Sequence, residues 1–332
     1  MSASKAKLVP LAELLPGRQA DFFAVLLDRV RGTTREGRPY FHCRFGDARR
    51  TVSLMVWSDD RWYAKAEAEW RPGQFYKLRG VYAEHERYGP QIELANLRPV
   101  RDADAADGFD SAALVEMSPC EPTFVLGELR SLVEATIAVE AHRGLVLGLL
   151  ERHADDLLRL PATRDRAYPY RGGLLEHTLA VATTAVDLVR RYAARFAPPL
   201  DRDLVCAAAV LHDIGRVLEL GDEAPVPAVT IPGRLAGPHV LGRDMVRDAA
   251  RERGDIDPEW LALLEHLILT PGSERGHAKG PIIPEGLILQ HADELDLEMS
   301  LFARCLDRNT GPGPFTDRDP TLGRRLLKRR KA

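Results

Sequence analysis

Leu204-Val205-Cys206-Ala207-Ala208-Ala209-Val210-Leu211-His212-Asp213-Ile214-Gly215 decides how the C-terminal two thirds of this chain is read. Eight apolar residues in succession leave no polar face, so the run reads as a helix buried on every side. The His-Asp pair before a glycine is then its polar tip, facing a cavity. A second histidine, His177, closes the phrase Gly172-Gly173-Leu174-Leu175-Glu176-His177, and an acid, Asp293, stands in Gln290-His291-Ala292-Asp293-Glu294-Leu295-Asp296. Imidazole nitrogens and carboxylate oxygens are the donors that hard and borderline divalent cations take. A His from one helix, a His-Asp from a second and an Asp from a third therefore make a candidate metal site of His177, His212, Asp213 and Asp293. Asp296 lies three residues beyond Asp293 on the same helical face, where it can support a ligand.

The chain of 332 residues is long enough for two domains, and 45% hydrophobic with 29% charged residues is the balance of a soluble globular protein. No segment approaches the roughly 18 apolar residues of a membrane span, and the N-terminus has no signal-peptide core. The expected location is the cytoplasm, with no membrane partner. Cys43, Cys120, Cys206 and Cys305 are too scattered for a disulfide frame or a zinc ribbon. The net charge of −3 is spread unevenly: residues 1–100 hold 17 basic against 12 acidic side chains, and residues 318–332 hold seven against one, so 101–317 carries −14. An acidic body between two basic segments suits a polyanionic substrate gripped away from the metal.

Taken in order, residues 17–100 alternate as strands do. Segments 21–31, 39–45 and 51–57 precede a helix-like run at 59–70, and strands at 74–82 and 91–97 follow. Phe41, Cys43 and Phe45 face one way and Tyr40, His42 and Arg44 the other. Three strands, a helix and two strands is the order of a five-stranded OB barrel. The phrases Thr34-Arg35-Glu36-Gly37-Arg38-Pro39-Tyr40, Val56-Trp57-Ser58-Asp59 and Gly80-Val81-Tyr82 look like OB modules of tRNA-anticodon type, which bind nucleic acid. Arg35, Arg38, Tyr40, Arg44, Trp57, Arg79, Tyr82, Arg87 and Tyr88 are the candidates for stacking bases and following phosphates. Any single one of these aromatics is an ordinary packing residue in the plainer reading.

Residues 101–120 are small and acidic and read as a linker. From 121 to 308 the period is helical, with helices expected at 125–138, 145–160, 174–196, 201–217, 237–253, 258–269 and 284–306. Glycine and proline exclude a helix at 270–283, which reads as a loop over the site. Residues 309–332 form a basic tail. The expected fold is a small all-β barrel followed by an all-α bundle.

The order His … His-Asp … Asp resembles the HD-domain metal-dependent phosphohydrolase superfamily. Mn²⁺ is the expected ion, with Fe²⁺, Co²⁺ and Mg²⁺ as alternatives. Arg216 directly follows Ile214-Gly215 and is placed to bind two phosphate oxygens; the plainer alternative pairs it with Glu219. His239 and His266 are candidates for substrate contact or a second metal, against the alternative of satisfied core histidines. With Asp213 and Arg216 they form the candidate catalytic set.

Both halves together resemble the YhaM-type 3'-to-5' exoribonucleases, across roughly residues 17–306. Gly172-Gly173-Leu174-Leu175-Glu176-His177-Thr178, Leu211-His212-Asp213-Ile214-Gly215, the 237–242 segment, His266-Leu267-Ile268-Leu269 and Ala292-Asp293-Glu294-Leu295-Asp296 carry that resemblance. It implies a metal-dependent phosphodiesterase acting as a 3'-5' exonuclease on single-stranded RNA, or DNA, delivered by the OB domain. Two departures stand out. Ala167-Tyr168-Pro169-Tyr170-Arg171 replaces a His pair, and Thr270-Pro271-Gly272 replaces a His-His-Gly, which puts a second metal in doubt. An HD phosphohydrolase of small nucleotides, and a nucleic-acid-binding protein with a degenerate HD site, stay open as alternatives, as does a homo-oligomer.

Overall fold

The computed structural model describes residues 8–85, 89–164, 166–221, 227–270, 281–308, 313–319 and 321–328. The chain divides into two units, one of Met1–Glu116 with Glu223–Val226 and Arg304–Ala332, the other of Met117–Asp222 with Pro227–Ala303.

In the first unit, period-2 alternation builds five strands, β1 (Gln19–Thr33), β2 (Pro39–Gly46), β3 (Thr51–Trp57), β4 (Phe75–His85) and β5 (Gly89–Pro99), with α1 (Tyr63–Ala68) between β3 and β4. Phe41, Cys43 and Phe45 are buried, as are Val52, Leu54 and Val56, while their neighbours look outward. The strands close in the order β1-β2-β3-β5-β4, antiparallel except where β3 meets β5. This is an OB barrel. The fifteen-residue β1 pairs with β4 along one half and β2 along the other, and it bends between Leu26 and Asp28 where the register shifts. Phe45 fills the interior with its ring edge-on to Trp70 and Tyr76.

Two expectations are corrected here. The stretch 101–120 is no free linker, since its residues up to Glu116 belong to the barrel unit. Asp104, in a 3-10 turn at Asp102–Asp107, is buried and accepts two hydrogen bonds from Arg98 at 2.6 Å each and one from the Arg101 amide at 2.8 Å. These contacts, Arg98 foremost, hold its carboxyl well below the usual range. Phe109 packs edge-on against Phe23 and Phe75. The small acidic composition suggested solvent, but one of those acids is the buried counter-charge of the barrel's last strand. The basic tail is likewise ordered over 313–319 and 321–328, where Phe315 and Leu327 form an antiparallel bridge.

The second unit is helical: α2 (Pro122–Thr136), α3 (Glu140–Arg152), α4 (Ala154–Arg159), α5 (Gly173–Tyr192), α6 (Arg202–Leu211), α7 (Arg216–Glu219), α8 (Ile231–Arg253), α9 (Pro258–Leu269) and α10 (Pro284–Arg308), the last running on into the first unit. All eight residues from Leu204 to Leu211 are buried, as a helix packed on every side requires. Asp201 caps that helix by accepting from the Leu204 amide at 2.9 Å. Three boundaries differ from the periodicity. The helix expected at 145–160 breaks at His153, and the one expected at 201–217 stops at Leu211, so His212–Gly215 is a turn. α8 starts six residues before its expected start at Gly237, and Gly237 (φ 75°, ψ 164°) kinks it ahead of Pro238. Residues 271–280 of the expected loop lie outside the described residues. No helix among the described residues is long and apolar enough to cross a membrane.

Replacing Asp104 by alanine strands the Arg98 charge, so Asp104→Ala is expected to lower the barrel unit's stability by ~3 kcal/mol in urea unfolding. Asp102→Ala, exposed on the same turn, is the control and should change little.

Candidate functional site

Glycines set where the site's helices begin. Gly172 turns the chain at φ 79°, and a Cβ on Gly173 would lie 2.3 Å from the Tyr168 carbonyl oxygen, so only glycine lets α5 start there. His177 follows one turn later, 1% exposed. A Cβ on Gly215 would lie 1.9 Å from the Pro238 carbonyl oxygen, so the turn after His212-Asp213 rests directly on the α8 backbone. That contact carries His239 to the same cavity. α10 contributes Asp293 and Asp296.

The hydrogen bonds fix the imidazole tautomers. His212 Nδ1 is 2.8 Å from the Ala209 carbonyl oxygen, which can only accept, so Nδ1 carries the proton and Nε2 faces the site as a lone pair. His177 Nδ1 is 2.8 Å from Asp296 Oδ2, whose carboxylate holds it the same way. The two Nε2 atoms then stand 3.3 Å apart, with Asp293 Oδ1 3.2 Å from that of His177 and 3.9 Å from that of His212. Two lone pairs and a carboxylate oxygen at that distance need a positive charge among them. In the metal-free protein a proton supplies it: burial works to lower the His177 pKa, but Asp293 and Asp296 outweigh it and raise it to about 9. A divalent cation fits the same donors.

His177, His212 and Asp293 offer ligand atoms all within 4.8 Å of one another. Asp213 stands at the edge of this group, with Oδ2 4.0 Å from His212 Nε2 and Oδ1 3.5 Å from Arg216 Nε. Burial would raise the Asp213 pKa, but Arg216 and the two imidazoles hold it well below the carboxylate range. Arg216 donates to Glu219 Oε2 at 2.6 Å and keeps its charge between these two acids. A cavity of about 110 Å³ opens beside them, walled by His212, Asp213, Arg216, His239 and Asp293 and by Leu267, Ile268 and Thr270. Of the expected catalytic set, only His266 is absent from this wall; its Nδ1 lies 3.4 Å from the Thr270 hydroxyl.

Residues 174–298 match the family model described as HD domain. Over those residues the helical unit is similar to HD domains. Over 315 residues the chain is 27% identical to the 3'-5' exoribonuclease YhaM of Bacillus subtilis (strain 168), covering 94% of this chain and 95% of that protein. Similar solved structures include a domain of replication protein A from Methanococcus maripaludis, at 14% identity and a TM-score of 0.23 over 28% of this chain and 96% of that one. Another is the asparaginyl-tRNA synthetase of Pyrococcus horikoshii, at 14% and 0.23 over 46% and 35%. His177, His212 and Asp293 all fall within the matched residues, and their donor set fits a divalent cation.

Sequence reasoning gave Tyr168 no role. Its hydroxyl donates to Asp296 Oδ1 at 2.9 Å, so the helical unit has a chain of contacts from Tyr168 through Asp296 to His177. Tyr168 sits at φ 47°, a left-handed conformation that costs a non-glycine residue ~1 kcal/mol or more, and such strain clusters at functional sites. The available signal was its place just ahead of the Gly172-Gly173 punctuation that starts α5.

On the barrel, the nine nucleic-acid candidates part company. Tyr40 and Trp57 rings lie 5.4 Å apart, the Arg38 guanidinium sits 5.6 Å from the Trp57 ring, and Arg38 pairs with Asp59. Trp57 is 38% exposed, and Arg35 is exposed in the preceding turn. Arg79 is held by Asp21 at 2.5 and 2.8 Å, and Arg44 by Asp28 at 3.6 Å. Tyr82 must be withdrawn from the surface set. β4 alternation turns it inward with Tyr76 and Leu78, 1% exposed, its hydroxyl donating to Glu84. Arg87 and Tyr88 lie outside the described residues.

Two outcomes are expected. A folded-state pKa raised from 6.5 to about 9 stabilises fully below pH 6.5 and is lost as pH rises through 9. Chelated protein should therefore lose up to ~1.4 kcal/mol per pH unit across that window in thermal melts, and added Mn²⁺ should restore more stability at pH 9 than at 6.5. Tyr168→Phe should weaken Mn²⁺ binding roughly tenfold by calorimetry, since supporting hydrogen bonds are worth 10–100-fold in metal affinity, with a melting temperature near wild type.

Proposed function

We propose that the protein is a metal-dependent phosphodiesterase that trims single-stranded RNA, and secondarily DNA, from the 3' end in the cytoplasm. The observation that carries this reading is the presence in one chain of the His177–His212–Asp293 donor set and an OB barrel presenting Arg38, Tyr40 and Trp57. Polarity and RNA preference are carried over from YhaM, whose resemblance runs through both units.

His177, His212 and Asp293 would hold the ion, with Asp213 as fourth donor; mixed nitrogen and oxygen ligands favour Mn²⁺, Fe²⁺ or Co²⁺ over Mg²⁺. When bound, such an ion supplies Lewis acidity at a phosphoryl oxygen and lowers the pKa of water. Asp296 and the Ala209 carbonyl keep the protons on both Nδ1 atoms, so the Nε2 lone pairs stay turned to the site. Arg216 is preset by Asp213 and Glu219 and lines the cavity, where its remaining donors meet phosphate oxygens. His239, in the same wall, is placed to pass a proton at that phosphate. His266 supports the segment that carries Leu267 and Ile268. On the barrel, Tyr40 and Trp57 stack bases, with Arg38 and Arg35 along the phosphates.

With Mn²⁺, 5'-labelled single-stranded RNA is expected to yield a ladder that shortens from the 3' end and disappears with EDTA. Asp213→Ala and Asp293→Asn should each slow it roughly 100-fold or more and retain less metal in elemental analysis. Intact oligonucleotides beside hydrolysed mononucleotides would instead indicate a small-nucleotide phosphohydrolase. Oligonucleotide binding with neither activity nor metal would indicate a degenerate site.

A further inference from the structure

The basic C-terminal segment is folded. The Thr316 amide donates to the Leu326 carbonyl and the Lys328 amide to the Pro314 carbonyl, both at 2.8 Å, pairing residues 314–319 with 321–328 as a hairpin. Asp319 organises its turn, its Oδ1 accepting from the Thr321 and Leu322 amides and its carbonyl from the Gly323 amide. Thr316 and Leu326 are buried, and the Cys305 thiol on α10 lies 3.9 Å from the Thr316 hydroxyl, so the hairpin is anchored to the first unit. Arg304 and Arg308 of α10 donate to Glu116 at 2.9 Å each, and the barrel and this segment fall in one unit.

What this hairpin shows to solvent is unlike an ordinary solvated surface. Phe315 and Leu327, bridged across the strands, are 53% and 61% exposed. Arg318, Arg324 and Arg325 are exposed beside them, and Arg318 and Arg325 make no ion pair among the described residues. Exposed guanidinium groups beside an exposed ring give the phosphates of a single strand their partners and a base a face to stack on.

We propose that the 314–328 hairpin is a second single-strand contact on the barrel unit, with Arg318, Arg324 and Arg325 on phosphates and Phe315 beneath a base. It rests on the reading that this unit binds single strands. It also gives the basic surplus of residues 318–332 a purpose apart from the metal site.

Anisotropy of a fluorescein-labelled 20-mer oligouridylate on the full-length protein, titrated from 50 to 300 mM salt, tests it. Arg318→Gln/Arg324→Gln/Arg325→Gln should weaken binding about tenfold or more and flatten the slope of log affinity against log salt by about 2, because each phosphate neutralised on a single strand adds about 0.7 to that slope. Phe315→Ala should weaken binding with the slope unchanged, and the triple Lys variant at the three arginines should keep the wild-type slope. A triple Gln variant indistinguishable from wild type overturns the proposal alone, whereas wild-type protein that binds no oligouridylate overturns the barrel reading with it. Phosphatidylserine vesicles bound by wild type and released by the triple variant, with oligouridylate binding unchanged, would assign the hairpin to a membrane and also overturn it.

Discussion

Two imidazole lone pairs aimed at one another across 3.3 Å, beside a carboxylate oxygen, are the constraint on which the helical unit turns. The arrangement is stable only with a positive charge in its midst. Each imidazole is locked from behind, one by Asp296 and one by the Ala209 carbonyl, so neither can rotate its protonated nitrogen inward without losing a buried hydrogen bond. The fold thus builds a place for a cation among these donors.

Packing supplies the rigidity. α6 is buried along its whole length, which fixes where its polar tip ends, and Gly215 lets the following turn touch the α8 backbone. A larger residue there would push α8 and His239 away from the cavity, because close-packed interiors pass displacement on to their neighbours. Gly173 does the same at the start of α5, where Tyr168 bends back over the helix and reaches Asp296. Tyr168 therefore braces Asp296 behind His177 without adding a donor.

The barrel unit shows how composition misleads when charge is paired. Asp104 belongs to a stretch that reads as solvent-exposed spacer, yet it is the buried partner of Arg98 and Lys77. The basic tail reads as a solvated end, yet Thr316 and Leu326 anchor it. The pairing of Asp104 with Arg98 and Lys77 is something no count of acids and bases along the chain reveals.

Local pattern by itself determined the strands, the buried helix, the glycine starts and the His177, His212 and Asp293 set, because periodicity, turn residues and ligand chemistry are properties of neighbours in sequence. It also predicted which way Phe41, Cys43 and Phe45 face, since a strand alternates whatever surrounds it. Only the tertiary structure decided that Tyr168 serves Asp296, that Asp213 leans to Arg216, that His266 is absent from the cavity wall and that Tyr82 turns inward. The Tyr168 contact depends on a partner from another element, 128 residues away. Helix and strand periods fix direction within an element, but which distant group a side chain meets depends on how the elements pack.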